Sequence, residues 1–229
     1  RSKYSWPIQQ FLKVAEWLAA RSGDYLVADS LGIQSFLIKT YKKESTYIAY
    51  GAHLFDTPNE NILQQYQVEK GNYNMVMARF EPENNIDMVL EGVALDKENQ
   101  TPILVIGKHE TKYGAYLKNK FKDFSNIRFL GGVYNLEHLN NLRYFSNLYF
   151  HGHSVGGTNP SLLEAMASQA LVIAHNNDFN KGVLKENAYY FSNPKEVKKI
   201  LNTVKKSDNL QFIKNNYQAI ANDFNWEKI

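Results

Sequence analysis

From Gly71 onward, short apolar runs alternate with stretches whose apolar residues recur at helical spacing. YNMVMAR (73–79), PILVIG (102–107), NIRFLG (126–131), LYFHG (148–152) and ALVIAH (170–175) are five to seven residues long and rich in branched and aromatic side chains. That pattern predicts strands buried on both faces. Between them, residues 86–95, 112–121, 136–142 and 160–168 carry apolar positions three and four apart, which predicts helices. Strand and helix in strict alternation imply βαβ units, hence a parallel sheet with helices on both faces and right-handed crossovers. Two further helices are expected over 194–204 and 208–222.

The pattern before Gly71 is less regular. Residues 6–21 read as a helix, with Pro7 near its start and Phe11, Leu12, Ala15, Leu18 and Ala19 at helical spacing. DYLVAD (24–29) and TYIAYG (46–51) read as short strands around a helix over 30–41 that Ser30 can cap. Residues 51–71 contain Pro58 and several Asn with no clear period, and are expected to link two domains, 1–50 and 72–229. The fold class expected is therefore α/β, with one Rossmann-like domain preceded by the last part of another.

Composition narrows the function classes. A net charge of +3 over 229 residues is too small to indicate nucleic acid as a partner. The chain has no cysteine, so it has neither a disulfide framework nor a thiolate metal site, which suits a cytoplasmic location. No apolar run reaches membrane-span length, and no signal peptide is visible. The chain does not begin with Met, and a fragment of a longer protein is expected. Lys195, Lys198, Lys199, Lys205 and Lys206 form a basic stretch, read either as a solvated helix face or as attraction to anionic lipid headgroups.

In parallel α/β sheets, ligands bind outside the carboxyl ends of the strands. Three turns there carry unusual residues. The first lies in HGHSVGGTNPSLLEAMA (151–167), where Asn159 fits a helix N-cap and Pro160 the first helical position. Gly156 and Gly157 allow a ligand close to the backbone. A phosphate can sit at the N–H groups near Thr158 and Asn159, and Glu164 can accept hydrogen bonds from a vicinal diol such as a ribose. The alternative is an ordinary capped helix with a solvated Glu. Arg79 ends the first strand, where its fork can grip a pyrophosphate or pair with Glu81 or Glu83. FLGGVYN (129–135) can border a flat base or be a tight turn. His151 and His153 share one strand face without a third metal ligand at supporting spacing, so His153 is read as a hydrogen-bond donor to a ligand. No G-x-G-x-x-G follows a strand, which argues against a dinucleotide oxidoreductase.

Taken in order, DYLVADSLGIQSFL, TYIAYGAH, MARFEPENNIDMVLEG, IRFLGGVYNLEHLNNLR, HGHSVGGTNPSLLEAMAS and FNWEKI resemble the retaining glycosyltransferases of family 4, and within them a bacterial rhamnosyltransferase-like branch. The resemblance spans essentially the whole chain, and the fifth segment is the specific one. It implies a GT-B fold, with residues 1–50 the truncated end of the acceptor-side domain and 72–229 the domain that binds the nucleotide-sugar donor. It further implies Arg79, Asn84, Thr158 and Asn159 on the donor diphosphate, Glu164 on the ribose, and Gly132, Val133 and Tyr134 beside the base. His153, Ser154, Gly156 and Gly157 would lie near the donor sugar. The implied partners are a nucleotide-diphosphate sugar and a glycan or lipid-linked glycan acceptor of capsule or exopolysaccharide synthesis. No nucleic acid, metal or other cofactor is implied, and a peripheral contact with the inner face of the membrane is. No catalytic residue is assigned. Gly156 stands where the family has the first Glu of its E-x7-E motif, and Asn84 where it has a phosphate-binding Lys. Those two departures keep a non-catalytic nucleotide-binding or scaffolding subunit as the alternative. For the truncated chain, weak nucleotide binding and little or no sugar transfer are expected.

Overall fold

The computed structural model describes residues 4–229. The contacts divide the chain into two units, with the boundary in the chain between Ala49 and Tyr50.

In the first unit, α1 (Trp6–Ser22) precedes β1 (Val27–Ala28), α2 (Leu31–Tyr41) and β2 (Thr46–Tyr47). The two strands pair in parallel, which makes one βαβ turn. Ser30 caps α2 as expected, its side chain accepting from the Ile33 N–H at 3.2 Å. Both strands are much shorter than the runs 24–29 and 46–51 that predicted them. Their ladder is only two residues long, and of β1 and β2 only Ala28 is buried, so burial extends neither strand.

The second unit holds a six-stranded, all-parallel sheet. In chain order its elements are β3 (Asn74–Met77), α3 (Ile86–Ala94), β4 (Ile103–Ile106), α4 (Lys112–Lys120), β5 (Ile127–Gly131), α5 (Leu136–Phe145), β6 (Tyr149–His151), α6 (Pro160–Ala167), β7 (Val172–His175), α7 (Asp178–Leu184), β8 (Tyr189–Phe191), α8 (Pro194–Thr203) and α9 (Leu210–Asp223). The spatial order is β5-β4-β3-β6-β7-β8. The chain therefore steps outward from β3 in one direction, returns, and steps outward from β6 in the other, the doubly wound arrangement that opens a crevice between the first and fourth strands.

Consecutive side chains point to opposite sides, and the inner strands β3, β4, β6 and β7 are buried on both faces, whereas the edge strands β5 and β8 are only partly buried. Met75, Leu104 and Ile106 join Leu139, Leu142, Leu163 and Ile220 in one apolar layer under α5, α6 and α9. Val76, Ile103 and Val105 join Val89, Leu90, Leu117 and Val197 in the other, under α3, α4 and α8. Gly92 lets α3 and α8 touch, since a Cβ there would lie 2.4 Å from the Val197 side chain.

Two elements of this unit, α7 and β8, lie in a stretch with no predicted element. Residues 51–71 pack within the unit: Phe55, Ile62 and Leu63 are buried, Glu60–Tyr66 forms 3-10 turns, and the Asn59 N–H donates to Asn141 Oδ1 on α5 at 2.6 Å.

Candidate functional site

The carboxyl ends of β3, β4, β5 and β6 open into a cleft of about 450 Å³ that lies wholly within the second unit. Arg79 and Asn84 line it after β3, Gly107 and Lys108 after β4, and Gly132 to Tyr134 after β5. His151, Gly152 and His153 line it after β6, with Asn159, Ser161 and Glu164 at the start of α6. Leu136 and Leu139 of α5 supply an apolar wall. The cleft sits at the switch of winding direction between β3 and β6, where this topology leaves room for a ligand.

Glu164 is held rather than free. Its Oε2 lies 2.6 Å from Nη2 of Arg143, a residue with no exposed side-chain surface. Nη1 of Arg143 donates to Asn140 Oδ1 at 3.1 Å, and Nη2 also approaches Met77 Sδ. A fully buried guanidinium needs a counter-charge, and Glu164 provides it while keeping 39% of its own side chain exposed. The carboxylate is thereby fixed in orientation with its other oxygen left for a ligand. Ser161 and Tyr149 share a hydrogen bond of 2.9 Å below it. The Asn159 side chain accepts from the Ser161 N–H at 2.9 Å, so the predicted cap of α6 is in place, with Pro160 in its first turn.

The opposite rim is organised around Asn84, which is 4% exposed. Its Nδ2 donates to the Arg79 carbonyl at 2.8 Å. That fixes the amide orientation and leaves Oδ1 facing His153 Nδ1, also at 2.8 Å. Nδ1 of His153 therefore carries the proton, and Nε2 holds a lone pair when the ring is neutral. Burial lowers the pKa of His153, with the Arg79 cation acting in the same direction and a backbone hydrogen bond at Val155 and the Glu83 carboxylate opposing it, and the net shift favours the neutral form. Gly152 makes the contact sterically feasible, because a Cβ there would stand 2.1 Å from the Asn84 carbonyl oxygen.

The loop carrying His153 is tied down at its carbonyls. Asn85 Nδ2 donates to Gly152 O at 2.8 Å, and Asn177 and Asn180 both donate to His153 O at 3.0 Å. His151 lies beneath, 3% exposed, its ring centroid 6.0 Å from that of His153. Burial, then His153 and Arg143, hold its pKa down at about 3, so it is neutral at ordinary pH. His151 Nε2 and Arg143 Nε are buried without a hydrogen-bond partner.

The structure thus brings Arg79, Asn84, Gly132, Val133, Tyr134, His153, Asn159 and Glu164 to one cleft. Arg79 makes no ion pair with Glu81 or Glu83 among the described residues, so its ionic alternative is absent here. The Tyr134 ring lies across the Cα of Gly132 while staying 85% exposed. Four expected residues stand off the lining. The Ser154 hydroxyl donates to Glu83 O at 2.8 Å, Thr158 is buried, and Gly156, with φ of +99°, and Gly157 form the bend beyond. Asn84 lines the cleft with both ends of its amide engaged, by the Arg79 carbonyl and by His153.

Arg143 and Lys108 were missed by sequence reasoning. Arg143 follows Leu139 by four residues on the buried face of α5, and a charge on an apolar stripe is the signal of a buried ion pair. Lys206, read as part of a basic surface, turns inward instead, its ammonium donating to Tyr144 O, and burial lowers its pKa to about 7. Among the described residues no group of three His, Asp or Glu side chains is placed to hold a metal ion, and no helix is long and apolar enough to cross a membrane.

Residues 58–219 match the family described as glycosyl transferases group 1. The chain belongs to this family. Residues 1–53 match a domain of unknown function, DUF1972. Comparison with curated proteins finds no match. Among solved structures, HepE of Anabaena in complex with UDP and glucose superposes with a TM-score of 0.82 at 17% identity, over 98% of this chain and 65% of that one. Sucrose-phosphate synthase of Thermosynechococcus elongatus gives 0.77 at 16% identity, over 94% and 58%. A glycosyltransferase of Rickettsia africae gives 0.75 at 16% identity, over 89% and 60%. The chain thus spans less than two thirds of the length of these structures. At such identities the likeness establishes the fold: the α/β architecture of GT-B glycosyltransferases, with Rossmann-like parallel sheets.

Proposed function

We propose that the second unit is the donor-binding part of a retaining glycosyltransferase that moves a sugar from a nucleoside diphosphate to a glycan or lipid-linked glycan acceptor. The observation that carries this reading is the pairing of an uncompensated Arg79 with a Glu164 carboxylate clamped by Arg143 across one cleft. The cation suits a diphosphate and the clamped carboxylate a ribose diol. Tyr134 over Gly132 offers a face for the base, and the start of α6 adds N–H groups to the phosphate side. His153 presents a lone pair toward the donor sugar. Membership of glycosyl transferases group 1 supports the reaction class, and the UDP and glucose carried by HepE support the donor class.

Chemistry at such a site is electrostatic. As the glycosidic bond breaks, negative charge grows on the leaving diphosphate, and fixed positive groups that already face it lower the barrier. The proposal includes no metal or other cofactor. It places the protein in capsule or exopolysaccharide assembly at the inner face of the membrane, with Lys195, Lys199 and Lys205 as the surface that meets anionic headgroups.

The direct test is calorimetry of the chain with UDP, dTDP and GDP, followed by a structure with the bound nucleotide. The expected result is phosphate at Arg79 and ribose at Glu164. A ribose far from Glu164 would overturn the assignment. Nucleotide binding with no sugar transfer by a longer chain carrying both domains, across a broad acceptor panel, would favour the scaffolding alternative.

A further inference from the structure

We infer that Lys108 is a second diphosphate-binding cation, acting beside Arg79 to make the cleft select nucleoside diphosphates over monophosphates and nucleosides. The inference rests on the donor-binding reading above. β3 and β4 run in parallel register, with Met77 opposite Ile106, and the Ala78 N–H donates to Ile106 O at 3.1 Å. Continuing that register sets Ala78 against Gly107 and Arg79 against Lys108. The chains remain in contact at this point, since a Cβ on Gly107 would stand 2.1 Å from Ala78 O. The two cations thus leave neighbouring chains about one strand spacing apart, roughly 4.8 Å at the backbone, and both line the cleft.

Among the described residues neither has a carboxylate partner. Glu110, the acidic residue nearest to Lys108 in sequence, faces His109 Nε2 at 3.4 Å. The groups around them offer no compensation within the cleft. Glu164 is taken by Arg143, His153 is biased to neutrality, and Asn84 is uncharged. Two exposed like charges side by side repel each other and favour an anion that can touch both. A diphosphate carries charge on two adjacent phosphoryl groups and fits that need better than one phosphate. Lys108 lies between Arg79 and the Gly132–Tyr134 turn in the strand order, so it borders the space between base and leaving group.

The experiment is calorimetry of the chain and of Lys108→Gln with uridine, UMP and UDP, and with the corresponding thymidine or guanosine series if that base binds more tightly. Lys112→Gln serves as the control, since it removes the same charge from the start of α4. Lys108 is exposed, so its replacement should leave the thermal unfolding temperature unchanged. The expected result is a loss of about tenfold in affinity for the diphosphate, a smaller loss for the monophosphate, none for the nucleoside, and no change with Lys112→Gln. Unchanged diphosphate affinity in Lys108→Gln, an equal loss for the nucleoside, or an equal loss in Lys112→Gln would overturn the inference and leave the donor-binding reading standing. Failure of the unaltered chain to bind any of the nucleoside diphosphates would overturn that reading itself.

Discussion

The two sides of the cleft treat positive charge in opposite ways. After β3 and β4, Arg79 and Lys108 stand exposed without counter-ions. On α5 and α6, the Arg143 guanidinium is fully buried and locked to Glu164 at 2.6 Å. An exposed cation costs the fold little and remains available to a ligand, whereas a buried one must be neutralised internally. The difference separates a surface that exchanges water for an anion from a frame that sets one carboxylate at a fixed angle. Substitutions should accordingly change binding on one side and stability on the other.

The largest effect is expected at the frame. Arg143→Met keeps most of the volume but removes the charge and three hydrogen-bonding contacts, and should lower unfolding free energy by about 3 kcal/mol, measured by urea denaturation. Glu164→Gln should also destabilise, because it leaves the buried cation unpaired. The double variant should then lose less than the sum of the two. Additive losses would show that the pair is not coupled, and the contrast between the two sides would fail.

Arg79→Gln should do the reverse. Nucleoside diphosphate affinity should fall by about 2 kcal/mol, while stability stays within about 0.5 kcal/mol of the unaltered chain. A stability loss comparable to that of Arg143→Met would mean that Arg79 belongs to the frame.

A smaller effect comes from the histidine beneath the cleft. His151 has a folded pKa of about 3 against an ordinary value of 6.5. Below pH 6.5 the unfolded chain takes up a proton that the folded chain refuses, so the stability present above that value is lost as pH falls toward 3. Between pH 7 and 5.5 the loss from this group should be about 1 kcal/mol. His153 and His175, whose pKa values are also lowered by burial, add to the same trend. Urea midpoints measured across that interval should fall less steeply for His151→Gln. Identical slopes would remove His151 from the account.

How much of this was legible in the sequence depends on the range of the interactions involved. The core strands of the second unit were visible because burial on both faces writes continuous apolar runs, and the caps at Ser30 and Asn159 were visible because capping is local. α7 and β8 were not: the helix is short and polar, and its Asn177 and Asn180 serve the distant carbonyl of His153. Among the cleft residues, Arg79 and Glu164 were found because each sits at a recognisable strand or helix end. Arg143 and Lys108 were overlooked because what sets them at the cleft involves residues 21 and 29 positions away, through an ion pair and through strand register. The link that the Asn84 amide makes between Arg79 and His153 was not legible either, because His153 lies 69 positions away.

That amide has a consequence for the sugar. With Nδ1 of His153 committed to Asn84, the neutral ring's other nitrogen, which lies beside the Gly156 turn, offers electrons and no hydrogen. A hydroxyl group can meet it only by giving its own proton. A deoxyfluoro analogue, whose C–F group accepts weakly and donates nothing, finds no complement there. Under the proposed donor-binding reading, a sugar that reaches this nitrogen would be told from one of nearly identical shape by a single missing hydrogen.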